Sequence, residues 1–231
     1  MKKFVNDNEL LSYIKQFNGK PFKEFDINKR LDNSRNKGSL GQIVEEGIFG
    51  YEINSDSRPD FEELGIELKV TPIKKNKDGT FSSKERLVLN IINFNEEYKH
   101  NFETSSFIKK SKKMLIIFYL YEDSISPKDF KIIDSIIYEF GGDDLSIIQD
   151  DWNNIIEKIK NGEAHKISGS DSFYLEACTK GATAASSLVK QPFSNKLAKR
   201  RAFALKGSFM TSVYRKIVLR EDYDNSSLKV I

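Results

Sequence analysis

Residues 57–70 read SRPDFEELGIELKV, and three of their charged side chains are spaced to act together. Successive side chains of a strand point to opposite faces. Across GIELKV this sends Ile66, Leu68 and Val70 one way and Glu67 and Lys69 the other. Asp60 stands seven residues before Glu67, and the turn-capable EELG at 62–65 lets the chain bring the two carboxylates together. Such a pair offers the hard oxygens that Mg²⁺ accepts, with water and a substrate phosphate completing its shell. The carbonyl of Leu68 is a further candidate ligand. Lys69 beside the cation would orient an attacking water or stabilise charge on the phosphate, an arrangement suited to phosphodiester hydrolysis. The competing reading is a charged, solvent-facing strand. With 34 acidic and 37 basic residues in 231, about five acid-x-base triplets arise by chance, so the triplet alone decides nothing.

The elements that must hold these residues show as periodic patterns. NDNELLSYIKQF (6–17) opens with capping residues and spaces its apolar residues helically. KGSLGQIVEEGIFG (37–50) reads as a second helix, stopped by Gly50. Strands are expected at 66–73, 86–94, 113–121 and 131–140, with a short helix at 105–113 before the third. Residues 143–162 form a strong amphipathic helix with Ile148, Trp152, Ile155, Ile156 and Ile159 on one face, which makes Trp152 a core residue. A turn-rich stretch follows at 178–195, then a last helix from Ser208 to Leu219. Helices flanking a mixed central sheet define an α/β protein.

A chain of 231 residues is one large domain or two small lobes, and its composition is that of a soluble globular protein. The longest apolar run, MLIIFYLY at 114–121, is too short to cross a bilayer, so no membrane partner is expected. The basic N-terminus lacks the apolar stretch of a signal peptide. One cysteine, Cys178, excludes an internal disulfide and a cysteine-based metal cluster, which fits a reducing cytoplasm. A small buried thiol is its expected state. His100 and His165 lie too far apart in sequence to suggest a zinc site. The net charge is only +3, yet ten Lys and Arg and no Asp or Glu fall between Cys178 and Arg220. The rest of the chain therefore carries −7 (3 − 10). A basic last fifth on an acidic body suggests a surface facing a polyanion.

SRPDFEELGIELKVTPI resembles the active-site segment of the MutH-type endonucleases within the PD-(D/E)xK nuclease superfamily, including the step from Asp60 to Glu67 and the GIELK core. KGSLGQIVEEGIFG is similar to that family's preceding helix, where a glycine is followed four residues later by a glutamate that completes the acidic cluster. Counting from Gly41 gives Glu45, and counting back from Gly50 gives Glu46; Glu45 is preferred. FSSKERLVLNIINF (81–94), NFETSSF (101–107), ACTKGA (177–182) and AKRRAFALKGSFMTS (198–212) resemble the GATC-cutting type II restriction enzymes of the Sau-3A-I kind more than the mismatch-repair branch.

The resemblance implies an α/β, PD-(D/E)xK restriction-endonuclease-like fold. A mixed central sheet would be flanked by helices, with two lobes forming a DNA cleft. The chain as a whole (1–231) would be a single MutH-like catalytic domain. It implies Mg²⁺ on Asp60, Glu67 and the Leu68 carbonyl, with Lys69 assisting the attacking water and Glu45 completing the cluster. Lys180 in CTKGA matches the family's base-contacting lysine in a loop entering the major groove, with Thr179 its neighbour. Lys110, with Lys109 as its rival, matches a lysine near the scissile phosphate. Lys199, Arg200, Arg201, Lys206, Arg215 and Lys216 are expected on phosphates or in solvent. Phe209 and Tyr214 are expected in the core or at a base. The implied activity is double-strand cleavage of DNA at GATC. Two active sites are needed, from a dimer on DNA or from pairing with a second MutH-like domain. The rival activities are a mismatch-repair nicking enzyme that needs an activating partner, and a DNA-binding regulatory module of a larger restriction enzyme. DYDNSSLKVI does not read as a natural end, so the chain is expected to be the N-terminal part of a longer protein.

Overall fold

The computed structural model describes residues 2–32, 38–53, 56–181 and 187–220. The helical spacing near the N-terminus folds as α1 (Asp7–Lys15), where the Asn6 side chain accepts the Glu9 N–H and Leu10 and Ile14 are buried. The expected second helix is α2 (Ser39–Ile43), which widens into a π-helical turn over Val44–Ile48. Gly50 stops it with φ +68, a conformation that costs glycine little.

Nine strands follow among the described residues: β1 (Glu67–Lys75), β2 (Phe81–Ser83), β3 (Leu87–Ile91), β4 (Lys113–Leu120), β5 (Ile132–Glu139), β6 (Leu175–Thr179), β7 (Leu188–Gln191), β8 (Ser194–Lys199) and β9 (Arg201–Leu205). Between them lie α3 (Phe94–Glu97), α4 (Ser106–Ser111) and α5 (Gly142–Lys160). After β9 comes α6 (Gly207–Val213), continued by a π-helical turn over Tyr214–Val218.

The central sheet has the order β2-β1-β4-β5, with β1 and β4 parallel and the other pairs antiparallel. In the β1/β4 register Glu67 lies opposite Met114, Lys69 opposite Ile116 and Thr71 opposite Phe118. Leu68, Leu115, Ile117, Tyr119 and Ile132 pack with Ile43, Phe49 and Phe61 in one cluster, beneath α1 and α2. The opposite face, with Ile73, Met114, Ile116 and Phe118, packs with Trp152, Ile155 and Ile156 of α5. Strand alternation puts Glu67, Lys69 and Thr71 on this second face.

Three findings correct the expected elements. The strand expected at 86–94 ends at Ile91 and leaves the central sheet for a second one, ordered β3-β9-β6. The turn-rich stretch 178–195 contains β7 and the start of β8, which pair as an antiparallel hairpin. Arg201–Leu205 is a strand buried throughout, and Phe203 and Leu205 join the same apolar cluster as Met114 and Phe118. The second sheet therefore shares a core with the first, with helical residues packed on each: Phe118 of β4 meets Tyr214 (5.0 Å) and Phe203 of β9 meets Phe107 of α4 (5.4 Å between ring centroids). Burying one such aromatic contributes about 1.5–3 kcal/mol. Buried Asp151 of α5 ties the start of β6 down, its carboxylate accepting the N–H groups of Phe173, Tyr174 and Leu175 at 2.6, 2.6 and 2.8 Å. No helix among the described residues is long and apolar enough to cross a membrane.

Candidate active site

Everything expected of the opening segment depends on whether Asp60 folds back to Glu67. It does. Glu62–Leu64 make a 3₁₀ turn, and Gly65 reverses the chain with φ +64. Phe61 and Ile66 close the loop with two backbone hydrogen bonds of 2.9 and 3.2 Å. Asp60 Oδ2 then accepts the backbone N–H of Leu68 at 2.8 Å. Glu67, the first residue of β1, is buried, and Lys69 reaches its Oε1 at 2.6 Å. A second cation arrives from α4, whose first turn is capped by the Ser105 hydroxyl accepting the Ile108 N–H. This phase turns Lys110 inward and leaves Lys109 exposed. Lys110 Nζ donates to the Asp56 carbonyl at 2.6 Å and lies 3.7 Å from Glu67 Oε1. Reasoning from the sequence missed Asp56, because a backbone carbonyl leaves no signature in residue type.

The two glutamates of the preceding helix point to different partners. Glu46 accepts both arms of Arg30 at 2.5 and 2.6 Å, which holds its carboxyl below the ordinary range. Glu45 is pushed up to about 7, first by burial and then by the carboxylates of Asp60 and Glu67, with Lys69 opposing. Burial also raises Glu67, with Lys69 the largest opposing influence. Glu45 and Asp60 share the wall of a cavity of about 600 Å³ with Tyr51 and Arg58. The Tyr51 phenol is itself pushed up to about 12 by burial and by Asp60 and Glu63.

These features suit a hard divalent cation. All the side-chain donors are carboxylate oxygens, Glu45 and Glu67 are raised chiefly by burial and further by neighbouring carboxylates, and Glu67 Oε2 is buried with no hydrogen-bond partner among the described residues. A cation would relieve the repulsion and engage the orphaned oxygen. As folded, the described His, Cys, Asp and Glu side chains do not close around a common point in threes, and Lys69 sits on Glu67 instead.

The basic region divides. Thr179 is exposed at the end of β6, and Lys180 follows it, half-buried, its N–H donating to the Arg200 carbonyl at 2.8 Å. Gly181 has φ +124, and a Cβ there would lie 2.7 Å from Ser187 Cβ, so this turn requires glycine. Lys199, Arg200 and Lys216 are exposed. Arg201 and Lys206 correct the expectation of phosphate contacts. Arg201 is buried and donates to the carbonyls of Ala177 and Ile167. Lys206 donates to the carbonyl of Ser172. Arg215 donates from Nε to the Phe81 carbonyl at 2.8 Å. Phe209 and Tyr214 are core, and Cys178 is a buried free thiol.

A mixed sheet flanked by helices, with Glu67 and Lys69 at the start of its parallel strand pair and Asp60 folded beside them, is a nuclease fold of the PD-(D/E)xK kind. The family model described as DNA mismatch repair enzyme MutH matches residues 49–151, which hold Asp60, Glu67, Lys69 and Lys110. The chain is 41% identical over 231 residues to the type II restriction enzyme Sau3AI of Staphylococcus aureus, covering 99% of this chain and 46% of that protein. It is 26% identical over 193 residues to the DNA mismatch repair protein MutH of Shewanella baltica, covering 83% of this chain and 84% of that one. Against MutH of Shewanella woodyi the identity is 28% over 183 residues, 78% of this chain and 76% of the relative. The chain belongs to the MutH/Sau3AI-type family. It spans about half the length of the Sau3AI relative.

Proposed function

We propose that this chain is the catalytic domain of a Mg²⁺-dependent type II restriction endonuclease that hydrolyses duplex DNA at GATC. The observation that carries the reading is the meeting of Asp60, Glu67, Lys69 and Lys110 at the start of β1, around a buried carboxylate oxygen with no hydrogen-bond partner among the described residues. Asp60, Glu67 and the Leu68 carbonyl would hold the cation, and Glu45 would complete the acidic cluster. When bound, Mg²⁺ supplies Lewis-acid charge to the phosphate and acidifies water.

The remaining chemistry is the chain's own. Lys69, poised on Glu67 at 2.6 Å, orients the attacking water and stabilises charge on the phosphate. Lys110, steadied by the Asp56 carbonyl, neutralises the scissile phosphate. Lys180, beside Thr179, donates to a guanine edge in the major groove, and Lys199 and Arg200 take phosphates. GATC reads the same on both strands, so two active sites are required. They come from a dimer on DNA or from pairing with a second MutH-like domain. The enzyme works in the cytoplasm, where its DNA is.

The 41% identity to a restriction enzyme, against 26–28% to the MutH relatives, favours double-strand cleavage over partner-dependent nicking. The retained Asp60, Glu67 and Lys69 favour a catalytic over a regulatory domain. Incubating the pure protein with unmethylated plasmid and Mg²⁺ tests this. Linear product without a partner is expected. Feeble nicking alone would overturn the restriction reading, and intact plasmid would overturn catalysis.

A further inference from the structure

The hairpin of β7 and β8 has an outer face on which Lys199, assigned above to a phosphate, stands with three residues that have no role so far. Leu188 pairs with Lys199 and Val189 with Ala198, so alternation puts Leu188 and Lys199 on one side, and Lys190 and Leu197 join them where the register shifts between Val189 and Gln191. Burial agrees. Ala198 and Gln191 are buried, whereas the four outer residues are exposed, Leu188 by 45% and Leu197 by 50%. The two leucines share this side with two lysines, an apolar and cationic surface in one place. Neither Lys190 nor Lys199 is in an ion pair among the described residues, and no acidic residue lies between Cys178 and Arg220.

The hairpin is also held rigidly. Buried Gln191 accepts the Ala164 N–H at 2.8 Å and donates to the Lys196 carbonyl at 2.7 Å. At the tip, the Phe193 ring meets Tyr98 edge-on at 5.1 Å, and a Cβ at Gly162 would come within 2.6 Å of the Phe193 carbonyl oxygen. At the base, Arg200 donates its N–H to the Ser187 carbonyl and accepts that of Lys180, so the ribbon continues from the Thr179–Lys180 turn. A surface ordered by folding loses little entropy on binding.

We infer that this outer face is a second DNA contact, gripping the backbone of duplex outside the recognition sequence. The inference rests on the nuclease reading above and adds the flanking duplex as the partner. The partner's chemistry follows from the face. Lys190 and Lys199 lie two residues apart along the ribbon and one strand apart across it, roughly 8 Å between Cα atoms. That spacing suits two phosphates, while Leu188 and Leu197 between them cover deoxyribose. Counterion release makes each phosphate contact worth a slope of about −0.9 in log K against log salt, or about eightfold in affinity at 0.1 M relative to 1 M.

The test compares wild type with the double variant Lys190→Ala/Lys199→Ala in EDTA, on duplexes of about 10 and about 30 base pairs centred on one GATC. Wild type should bind the longer duplex more tightly. The variant should lose about 60-fold on the longer duplex at 0.1 M salt, with a salt slope flatter by about 1.8. An undiminished gain from lengthening in the variant overturns the inference and leaves the nuclease reading standing. A wild type that binds neither duplex overturns both. A wild-type dimer that Leu188→Ser/Leu197→Ser dissolves, with the lengthening gain intact, makes the face a protein contact and overturns the inference.

Discussion

Glu45→Gln should stabilise the metal-free protein, and only above acidic pH. In the folded chain the Glu45 carboxyl is raised from 4.5 to about 7, chiefly by burial and then by Asp60 and Glu67. The native state therefore holds that proton more tightly than the unfolded chain, and the group adds stability at acidic pH that is lost as the pH rises from 4.5 through about 7. At about 1.4 kcal/mol per pH unit the full effect is about 3 kcal/mol. Because Glu45 is partly exposed, screening trims this toward about 2 kcal/mol. Glutamine imitates the protonated acid and removes the dependence. Urea unfolding in EDTA should show wild type and variant alike near about pH 4.5, and the variant more stable by about 2 kcal/mol near about pH 8. Other titrating groups are common to both proteins, so the difference between the two pH profiles isolates Glu45. Mg²⁺ should then stabilise wild type more than the variant at about pH 8. Parallel profiles for the two proteins would show that Glu45 is neither buried nor crowded by Asp60 and Glu67, and would remove it from the acidic cluster.

Other expectations can be checked alongside. Glu46→Gln should lower stability by about 1–2 kcal/mol through loss of the Arg30 fork, with far less effect on cleavage than Glu45→Gln. Arg201→Met should destabilise by about 2–4 kcal/mol in thermal unfolding, because the Ala177 and Ile167 carbonyls lose a buried donor. A folded Arg201→Met protein of wild-type stability would return Arg201 to the phosphate contacts. Lys110→Ala should fold normally and slow cleavage by about 10²-fold or more in single-turnover assays, whereas Lys109→Ala should cut at near wild-type rate. Lys180→Ala should relax discrimination between GATC and single-mismatch sites, by about 1–3 kcal/mol in competition cleavage.

The fold of the Asp60–Lys69 segment was legible because its information is local. Alternation separates Glu67 and Lys69 from Leu68, and the β1/β4 register keeps that separation. Gly65 and the turn at 62–64 do what EELG suggests. Glu45 and Glu46 could not be separated by spacing, because counting on from Gly41 and back from Gly50 gives different residues, and the turn between them is π-helical. Arg30, far upstream, breaks the tie by taking Glu46. The Lys110 assignment depends on the phase of α4, set by the Ser105 cap rather than by the run KKSKK. Arg201 and Lys206 were misread because charge in a sequence does not say whether the donor faces a phosphate or a carbonyl. The second sheet was hidden for a related reason. Its strands are short and interleaved with lysines and glycine, and β3 joins them from more than a hundred residues away in sequence.

Cleavage mapping on a duplex with one unmethylated GATC tests the central claim most directly, using wild type and Glu67→Gln with Mg²⁺ or with EDTA. Wild type with Mg²⁺ alone should cut both strands at that site, and neither Glu67→Gln nor wild type in EDTA should cut. Full-rate cleavage by folded Glu67→Gln, or cleavage that ignores GATC, would contradict that claim.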